Sequence, residues 1–201
     1  MELEQQAADL LAALQRDAPG EAPLIRRKQE ELGRRLAELL EPFHCALRVC
    51  DPFIPQTVID QFKATRVDVD ELIGQSEVVV LCAANNPGTQ HMIGARQLAA
   101  LRTGATVINT ARGALLDHDA LLAEVASGRL NAVLDVTDPE PLPEDHPFWG
   151  LPNVFVTPHL AGSLGSELRR LVDHAVDEID RWRTGRPARN EITVDRLAHL
   201  A

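Results

Sequence analysis

The stretch ATVINTARGALLDHDALLAEVASGRLNAVLDV, residues 105–136, decides the fold class. It begins with a β-branched apolar run, continues through a polar loop and a helical pattern, and ends with a second apolar run. Asp117 suits a helix N-cap, and Gly104 and Gly128 stand where a glycine commonly follows a helix. A strand, a helix and a further strand, without apolar and polar alternation in the strands, predict parallel strands buried on both faces.

The same pattern continues on both sides of this unit. The predicted strands are 46–50, 78–82, 106–108, 132–136 and 154–156, and the predicted helices between and after them are 56–63, 70–75, 95–102, 117–127 and 163–183. Two amphipathic helices are predicted upstream, at 4–16 and 24–41. Strands that alternate with helices predict an α/β fold with a doubly wound, Rossmann-like parallel sheet.

Composition limits the class of partner. The chain has 201 residues, enough for one domain with an appendage. Its net charge of −10, with 3% aromatic residues and no tyrosine, argues against nucleic-acid binding. No apolar run approaches the ~18 residues of a membrane span, and the N-terminus lacks a signal-peptide pattern, so a cytoplasmic protein without a membrane partner is predicted.

The three cysteines, Cys45, Cys50 and Cys82, cannot all pair within the chain. Cys45 and Cys82 have no second sulfur at the spacing that zinc sites use, so no metal site is predicted. We interpret all three as reduced and mostly buried thiols.

Ligands of an open parallel sheet bind at the carboxyl ends of its strands. In this sequence polar or conformationally special residues follow each predicted strand directly. They are Asp51, residues 83–89, residues 109–113, residues 135–140 and residues 157–163. This concentration predicts a site at that edge of the sheet.

Asp51 ends the strand that precedes it, 18 residues after Gly33. An acid at this place can bind the 2′-hydroxyl of an adenosine ribose, and it disfavours a 2′-phosphate, so NAD is predicted over NADP. The alternative is that Asp51 and Pro52 simply start a turn.

Three further side chains leave successive strand ends. Arg112 has the planar cationic fork that binds a small carboxylate, although it could equally be a surface arginine. His159 and Glu140 could form a proton-transfer pair, or His159 could be a loop histidine bonded to backbone. The other histidines are interpreted as solvated: His44, His91, His118, His146, His174 and His199.

Longer motifs make the pattern specific. They are residues 32–40, Val49-Cys-Asp-Pro-Phe53, residues 104–117, residues 127–135, Pro139-Glu-Pro-Leu-Pro143 and residues 151–163. In order and spacing, residues from about 32 to 200 resemble the D-isomer-specific 2-hydroxyacid dehydrogenase family in its NAD-binding domain. The resemblance implies an oxidoreductase that reduces small 2-oxo acids, or oxidises D-2-hydroxy acids, with NAD.

The resemblance also implies roles for individual residues. Arg112 would bind the substrate carboxylate and carbonyl, His159 would be the general acid and base, and Glu140 would orient His159 and favour its protonated form. Asp135 would hold the nicotinamide carboxamide. The cofactor-binding residues implied are Leu32, Gly33, Asp51, Pro52, Ala83, Ala84, Thr89, Thr110, Ala111, Arg112, Asp135, His159, Ala161 and Gly162. Because family members dimerise through this domain, a homodimer is expected.

The sequence departs from the family at the cofactor's diphosphate. The Gly-x-Gly-x-x-Gly turn falls on residues 28–33, where only Gly33 remains, and Lys28 and Glu30 replace the other glycines. The preceding strand would fall on residues 22–27, which favour a helix. We therefore predict that the first strand is missing and that a longer helix replaces it. Ala84 also replaces a usual proline, which is a mild change.

The resemblance divides the chain into three parts. Residues 1–31 form an atypical helical segment, residues 32–162 the NAD-binding domain, and residues 163–201 a helix and tail that in the family join the substrate domain. The first half of that substrate domain is absent. An alternative function is therefore a catalytically impaired homologue that binds NAD weakly or not at all and acts in dimerisation or interaction.

Overall fold

The structure, a computed structural model, describes residues 25–162 and 166–189. Among these residues, no helix combines the length and the hydropathy that a membrane span requires. The predicted helix at 4–16 and the first residues of the last predicted helix, 163–165, lie outside the described residues.

The centre of the molecule is a four-stranded parallel sheet in the order β3-β4-β5-β6. Its strands are β3 (Val78–Leu81), β4 (Thr106–Asn109), β5 (Asn131–Leu134) and β6 (Val154–Val156). All four residues of β4 are buried, as expected for a strand that is covered on both faces. The predicted strands are therefore confirmed here, with ends that differ by two residues or fewer.

Three helices cover one face of this sheet: α3 (Val69–Gln75), α4 (Ala95–Ala100) and α5 (His118–Ala126). Their apolar side chains meet the sheet in one core, with Ile73, Leu98, Leu121, Val107 and Leu134 almost completely buried. The side chain of Asp117 accepts a hydrogen bond from the Ala120 amide at 2.9 Å, which confirms the predicted N-cap of α5.

Two of the expected glycine conformations are present. Gly128 has φ +77° directly after the end of α5, as predicted. Gly104 also has positive φ, at +86°, but it lies in a turn beyond Leu101, the residue that ends α4, and not at the helix terminus.

A second, smaller sheet pairs β1 (Arg48–Val49) with β2 (Thr65–Arg66) in parallel. The sequence did not predict β2, which is too short to show an apolar run. The helix α2 (Gln56–Gln61) connects the two strands. Within the described residues no strand joins this sheet to β3, so the two sheets have separate hydrogen-bond ladders.

The helix α1 (Ile25–Leu40) precedes the small sheet. It is continuous over the residues that align with the glycine turn and over the described part of the expected first strand, 25–27. The prediction of one longer helix in place of a strand and turn is therefore confirmed for these residues. The last helix, α6 (Ser166–Arg183), is followed by a turn at Thr184 and Gly185, and Gly185 has φ +68°.

Candidate active site

The ends of β4, β5 and β6 are in register. Asn109 pairs with Leu134, and Leu134 pairs with Val156. Because the strands are parallel, the loops that follow them leave the same edge of the sheet. These three loops, residues 109–113, 135–140 and 157–162, are called the catalytic edge below. They carry Arg112, Glu140 and His159, respectively.

The structure brings Glu140 and His159 into direct contact. Oε1 of Glu140 is 2.7 Å from Nδ1 of His159. Both side chains are a little over 40% exposed, so the pair is open to a small ligand. The backbone of His159 has φ +53°, and its amide donates a 3.0 Å hydrogen bond to the carbonyl of Asp135. With Nδ1 held by a carboxylate, Nε2 is the nitrogen left to exchange a proton with a ligand.

Arg112 is exposed, and its loop is held by a residue that the sequence analysis did not select. Asn109 is completely buried, and its side-chain amide donates to the Arg112 carbonyl at 2.8 Å. Its side-chain oxygen accepts from the Ala111 amide at 3.1 Å. The signal that could have identified Asn109 is a polar residue that ends an otherwise apolar buried strand. Asn109 positions the loop, and Arg112 is its exposed cation.

Gly113 fixes the distance between two loops of the catalytic edge. A Cβ atom on Gly113 would lie 2.1 Å from the carbonyl oxygen of Thr137, far inside van der Waals contact. The loop that carries Arg112 therefore touches the loop that carries Glu140, and only glycine permits this approach. Gly113 lies within one of the family motifs, but no sequence pattern indicated this role.

Asp135 connects the second loop to the third. It is 2% exposed, and one carboxylate oxygen accepts from the Thr157 hydroxyl and from the Leu160 amide. Its other oxygen accepts from the Ala161 amide at 2.8 Å. In this arrangement Asp135 orders the loop of His159. A carboxylate has about four acceptor positions, so one is left for a ligand such as an amide.

The predicted cofactor residues of the catalytic edge lie close to this group. Ala161 is held by Asp135, and a Cβ on Gly162 would be in ordinary contact, 3.7 Å, with the imidazole of His159. Thr110 lies in the same loop as Ala111, and its Oγ1 is buried without a hydrogen-bond partner among the described residues. A buried hydroxyl without a partner is costly unless a ligand satisfies it, which fits a bound group at this end.

Ala83, Ala84 and Thr89 belong to the loop after β3, the next strand in the sheet. The Thr89 hydroxyl donates to the Ala84 carbonyl at 2.6 Å and accepts from the Asn86 amide at 2.9 Å. Thr89 therefore closes its own loop. The end of β3 is in register with Asn109, so this loop borders the catalytic edge.

Asp51 and Pro52 lie after β1, in the smaller sheet. One oxygen of the Asp51 carboxylate accepts from the amides of Phe53, at 2.7 Å, and Ile54, at 3.2 Å. The Arg66 guanidinium donates to the carbonyls of Asp51 and Ile54. The structure thus shows the turn function of Asp51, whereas its contact with a ribose stays a prediction.

Leu32 and Gly33 lie within α1. The described part of the helix runs from Ile25, eight residues or about 12 Å before Gly33, so Gly33 lies inside the helix and not at an N-terminus. Apart from the backbone of its own helix, a Cβ on Gly33 would meet no atom of the described residues within 4 Å, so no close approach among these residues depends on this glycine. In dinucleotide-binding folds the glycine turn and the helix N-terminus hold the diphosphate. Residues 28–33 do not form that site.

His118 corrects one interpretation from the sequence, because it is buried and not solvated. It is 7% exposed, Nδ1 is 3.0 Å from the Leu116 carbonyl oxygen, and Nε2 has no partner within the described chain. Burial lowers the pKa of His118 below its usual 6.5, while the Leu116 carbonyl and Asp138 act in the opposite direction.

All three cysteines are free, but they are less buried than the sequence indicated. Cys45 is exposed, and Cys50 and Cys82 are partly exposed. Burial raises the pKa of the Cys82 thiol to about 11, so this thiol is protonated at neutral pH. Burial and then the charges of Asp68 and Asp51 raise the pKa of Cys50. Among residues 25–162 and 166–189, no group of three His, Cys, Asp or Glu side chains is arranged to hold a metal ion.

Comparison with known proteins identifies related chains. The family model for the D-isomer specific 2-hydroxyacid dehydrogenase, NAD binding domain, matches residues 31–161. The mitochondrial formate dehydrogenase of Solanum tuberosum is 30% identical over 169 residues, 82% of this chain and 44% of the relative. The glycerate dehydrogenase of Methylorubrum extorquens is 35% identical over 160 residues, 78% of this chain and 48% of the relative.

Solved structures agree with the sequence relatives. The D-mandelate dehydrogenase of Rhodotorula graminis superposes with a TM-score of 0.75 at 26% identity, over 81% of this chain and 48% of that chain. A D-isomer specific 2-hydroxyacid dehydrogenase from Xanthobacter autotrophicus, solved with NADPH and MES, superposes with a TM-score of 0.71 at 29% identity. The match covers 96% of this chain and 84% of that chain. The predicted Rossmann-like α/β fold is confirmed. The chain spans about half the length of the first curated relatives, or less.

Proposed function

The chain belongs to the D-isomer-specific 2-hydroxyacid dehydrogenase family, and from this premise we propose an NAD-dependent oxidoreductase function. The reaction is hydride transfer at the CH–OH group of a small D-2-hydroxy acid, or at the carbonyl of the matching 2-oxo acid. Residues 32–162 are the proposed NAD-binding domain, residues 163–201 the helix and tail that join a substrate domain, and residues 1–31 an atypical addition.

In this proposal each residue of the catalytic edge has one task. The Arg112 guanidinium binds the substrate carboxylate through two parallel hydrogen bonds. Nε2 of His159 donates a proton to the C2 oxygen during reduction and accepts it during oxidation. The Glu140 carboxylate accepts from Nδ1 of His159, which fixes the orientation of the ring and leaves Nε2 to exchange the proton. NAD, the family's cofactor, supplies or accepts the hydride when bound.

One observation carries this proposal: the 2.7 Å contact between Glu140 and His159 at the end of two neighbouring strands. These side chains are 19 positions apart in the chain and meet only because β5 and β6 are parallel and in register. The loop of Arg112 touches the loop of Glu140 through Gly113. A cation and a carboxylate-held histidine on one edge suit a substrate with a carboxylate beside a carbonyl.

The described residues fit one end of the cofactor and not the other. The unpartnered Thr110 hydroxyl and the remaining acceptor position of Asp135 suit a nicotinamide carboxamide. Residues 28–33 lie in a continuous helix and offer no site for the diphosphate. The diphosphate therefore has to be held by residues other than these. Asp51 supports NAD over NADP, although one solved relative was crystallised with NADPH.

The helix at 25–40 also favours a second candidate function. A homologue that lacks the diphosphate site would bind NAD weakly or not at all, and its remaining role would be dimerisation or interaction. The catalytic side chains alone do not distinguish this candidate from an enzyme, because they do not depend on the diphosphate site for their positions.

Fluorescence titration of the full chain with NADH separates the two candidates. A dissociation constant of about 10 μM or below supports the enzyme, and so does loss of turnover in His159→Gln by about 100-fold or more with a panel of short 2-oxo acids. Glu140→Asp is a conservative control for the turnover measurement, because it retains a carboxylate at position 140. Absence of binding at about 1 mM NADH contradicts the enzyme and leaves the second candidate.

The remaining parts of the proposal concern place and assembly. We extend the proposal to a homodimer, which the family's mode of association supports, and to a cytoplasmic location. A small 2-oxo or 2-hydroxy acid is the proposed partner molecule. The net charge of −10 supports the expectation that nucleic acid is not a partner.

A further inference from the structure

His159 depends on its backbone for its position in the site. Its φ of +53° lies in the left-handed region, which costs a residue other than glycine free energy and persists only where neighbouring groups hold it. Its imidazole is 43% exposed and contacts Glu140 through a hydrogen bond on Nδ1. A ring held in this way moves with the turn that carries it. The groups that hold this turn therefore decide where Nε2 of His159 lies.

Asp135 holds the turn of His159 with both its backbone and its side chain. Its carbonyl oxygen accepts from the His159 amide at 3.0 Å. One carboxylate oxygen, Oδ1, accepts from the Leu160 amide at 2.7 Å, and the other, Oδ2, accepts from the Ala161 amide at 2.8 Å. Three successive amides thus bind to one residue. Because the χ2 torsion of an aspartate is broad and soft, a rotation of the carboxylate would weaken two of these three hydrogen bonds.

Thr157 supplies a hydrogen bond that fixes this carboxylate from the side of the sheet. Its hydroxyl donates to Oδ1 of Asp135, the oxygen that also binds the Leu160 amide. Its own amide donates to the Leu134 carbonyl at 2.9 Å, and Leu134 is fully buried at the end of β5. Threonine is branched at Cβ, so its χ1 torsion is restricted. Thr157 therefore connects the sheet to the carboxylate on which the turn of His159 depends.

We propose that Thr157 is a positioning residue: its hydroxyl, acting through the Asp135 carboxylate, places the imidazole of His159 for proton transfer. The rate of the reaction is sensitive to such placement, because a displacement of about 1 Å can lower it by about 100-fold. The effect on turnover rests on the proposed function, whereas the effect on the ring of His159 does not. A threonine that only stabilised the fold would change the ring and kcat no more than an equal loss of stability elsewhere.

Nitrogen-15 NMR of the histidine rings in the full chain tests the effect on position. In the wild type we expect the neutral His159 ring to carry its proton on Nδ1, because Glu140 accepts from that nitrogen at 2.7 Å. Thr157→Val removes the hydroxyl and should replace this single tautomer with a mixture of two. Thr157→Ser retains a hydroxyl and should preserve the tautomer. The signals that disappear in His159→Gln assign the ring.

Ile73→Val is the matched control for a general loss of stability. Ile73 is 1% exposed and packs in the main core from α3, so the substitution removes a buried methylene group outside the catalytic edge. Urea unfolding shows that both variants are folded and compares their losses of stability. A wild-type ring without its proton on Nδ1, a Thr157→Val ring that keeps the wild-type tautomer, or an Ile73→Val ring that is disturbed as much each overturns the proposal.

Steady-state kinetics with NADH and a panel of short 2-oxo acids test the effect on the reaction. Thr157→Val should lower kcat by about 10- to 100-fold and change KM for the acid by less than about threefold, because Arg112 lies on a separate loop that Asn109 holds. Thr157→Ser should stay within about threefold of the wild-type kcat. An unaltered kcat in Thr157→Val overturns the proposal. A wild-type chain without turnover contradicts the proposed function instead, and the ring nitrogens of His159 then decide this proposal.

Discussion

The catalytic edge and the N-terminal region, residues 25–66, belong to the same fold. They differ in how far each retains the strands and turns that the fold has at that place. At the catalytic edge three neighbouring strands end in register, and their loops are joined through Asn109, Gly113 and Asp135. In the N-terminal region a helix runs through the place of a strand and a turn, and β1 and β2 form a ladder of their own. The comparison shows that the contact between Glu140 and His159 depends on the adjacent strands β5 and β6 and is present although a helix occupies residues 25–40.

The difference between the two regions is tested most directly by replacing one glycine in each region with alanine. Gly113→Ala should destabilise the protein by about 3 kcal/mol or more, because the new Cβ would collide with the Thr137 carbonyl. Gly33→Ala should stabilise it by about 0.5–1 kcal/mol, because Gly33 lies in an open helical position. Urea unfolding measures both changes.

Gly33→Ala is also the sharper test of the N-terminal region. If residues 28–33 formed a close glycine turn in solution, this substitution would destabilise the chain. A loss of stability in Gly33→Ala, or an unaltered midpoint in Gly113→Ala, would therefore contradict the difference between the regions.

A second comparison uses the same substitution on two aspartates. Asp135→Asn should cost about 2–3 kcal/mol, because an amide cannot accept on both oxygens from Thr157, Leu160 and Ala161. Asp51→Asn should cost less than about 0.5 kcal/mol, because asparagine can still accept the two turn amides through one oxygen. Thermal and urea unfolding report the difference, and equal losses would contradict it.

Two threonines sharpen the comparison within the catalytic edge. Thr157→Val should cost about 1–2 kcal/mol, because it removes a donor to the buried Asp135. Thr110→Val should leave stability unchanged or raise it by up to about 1 kcal/mol, because the Thr110 hydroxyl has no hydrogen-bond partner among the residues that the structure describes. If Thr110 serves the cofactor, its valine variant should also bind NADH more weakly, which titration measures. A destabilised Thr110→Val would reveal a structural role instead.

The smallest expected effect is a dependence of the protein's stability on pH, which we assign to His118. The pKa of His118 is lowered in the folded protein, so the unfolded chain binds a proton first as the pH falls below 6.5. The stability that neutral His118 contributes is therefore present above pH 6.5 and is lost on acidification. Urea midpoints from pH 7.5 down to about 5 should fall less steeply for His118→Gln than for the wild type. Identical slopes would show that His118 is not the group responsible.

Much of the difference between the catalytic edge and the N-terminal region could be predicted from residue patterns. Repeated β-branched runs between helical segments located five of the strands, and the polar residues after them located the catalytic edge. The charged residues before Gly33 indicated a helix where the fold needs a strand, because they suit a solvated helix and not a central strand. These predictions were correct because they concern secondary structure, which depends directly on the local sequence.

Other features could not be predicted in this way. β2 has only two residues and exists through its pairing with β1. The burial of His118 depends on packing next to Phe148, whose ring centre is 6.1 Å from the imidazole, and not on the helix to which the sequence assigned it. The obligatory role of Gly113 follows from one carbonyl group 24 residues away in the chain.

The sequence by itself determined the α/β class, the order of elements and the residues available for chemistry, because periodicity and residue type encode them locally. Only the tertiary structure decided that Glu140 meets His159 and that Asp51 accepts hydrogen bonds within its own turn. The physical reason is that strand register and packing bring distant residues to within hydrogen-bond distance. Each such contact depends on the positions of several elements at once, which no local pattern records.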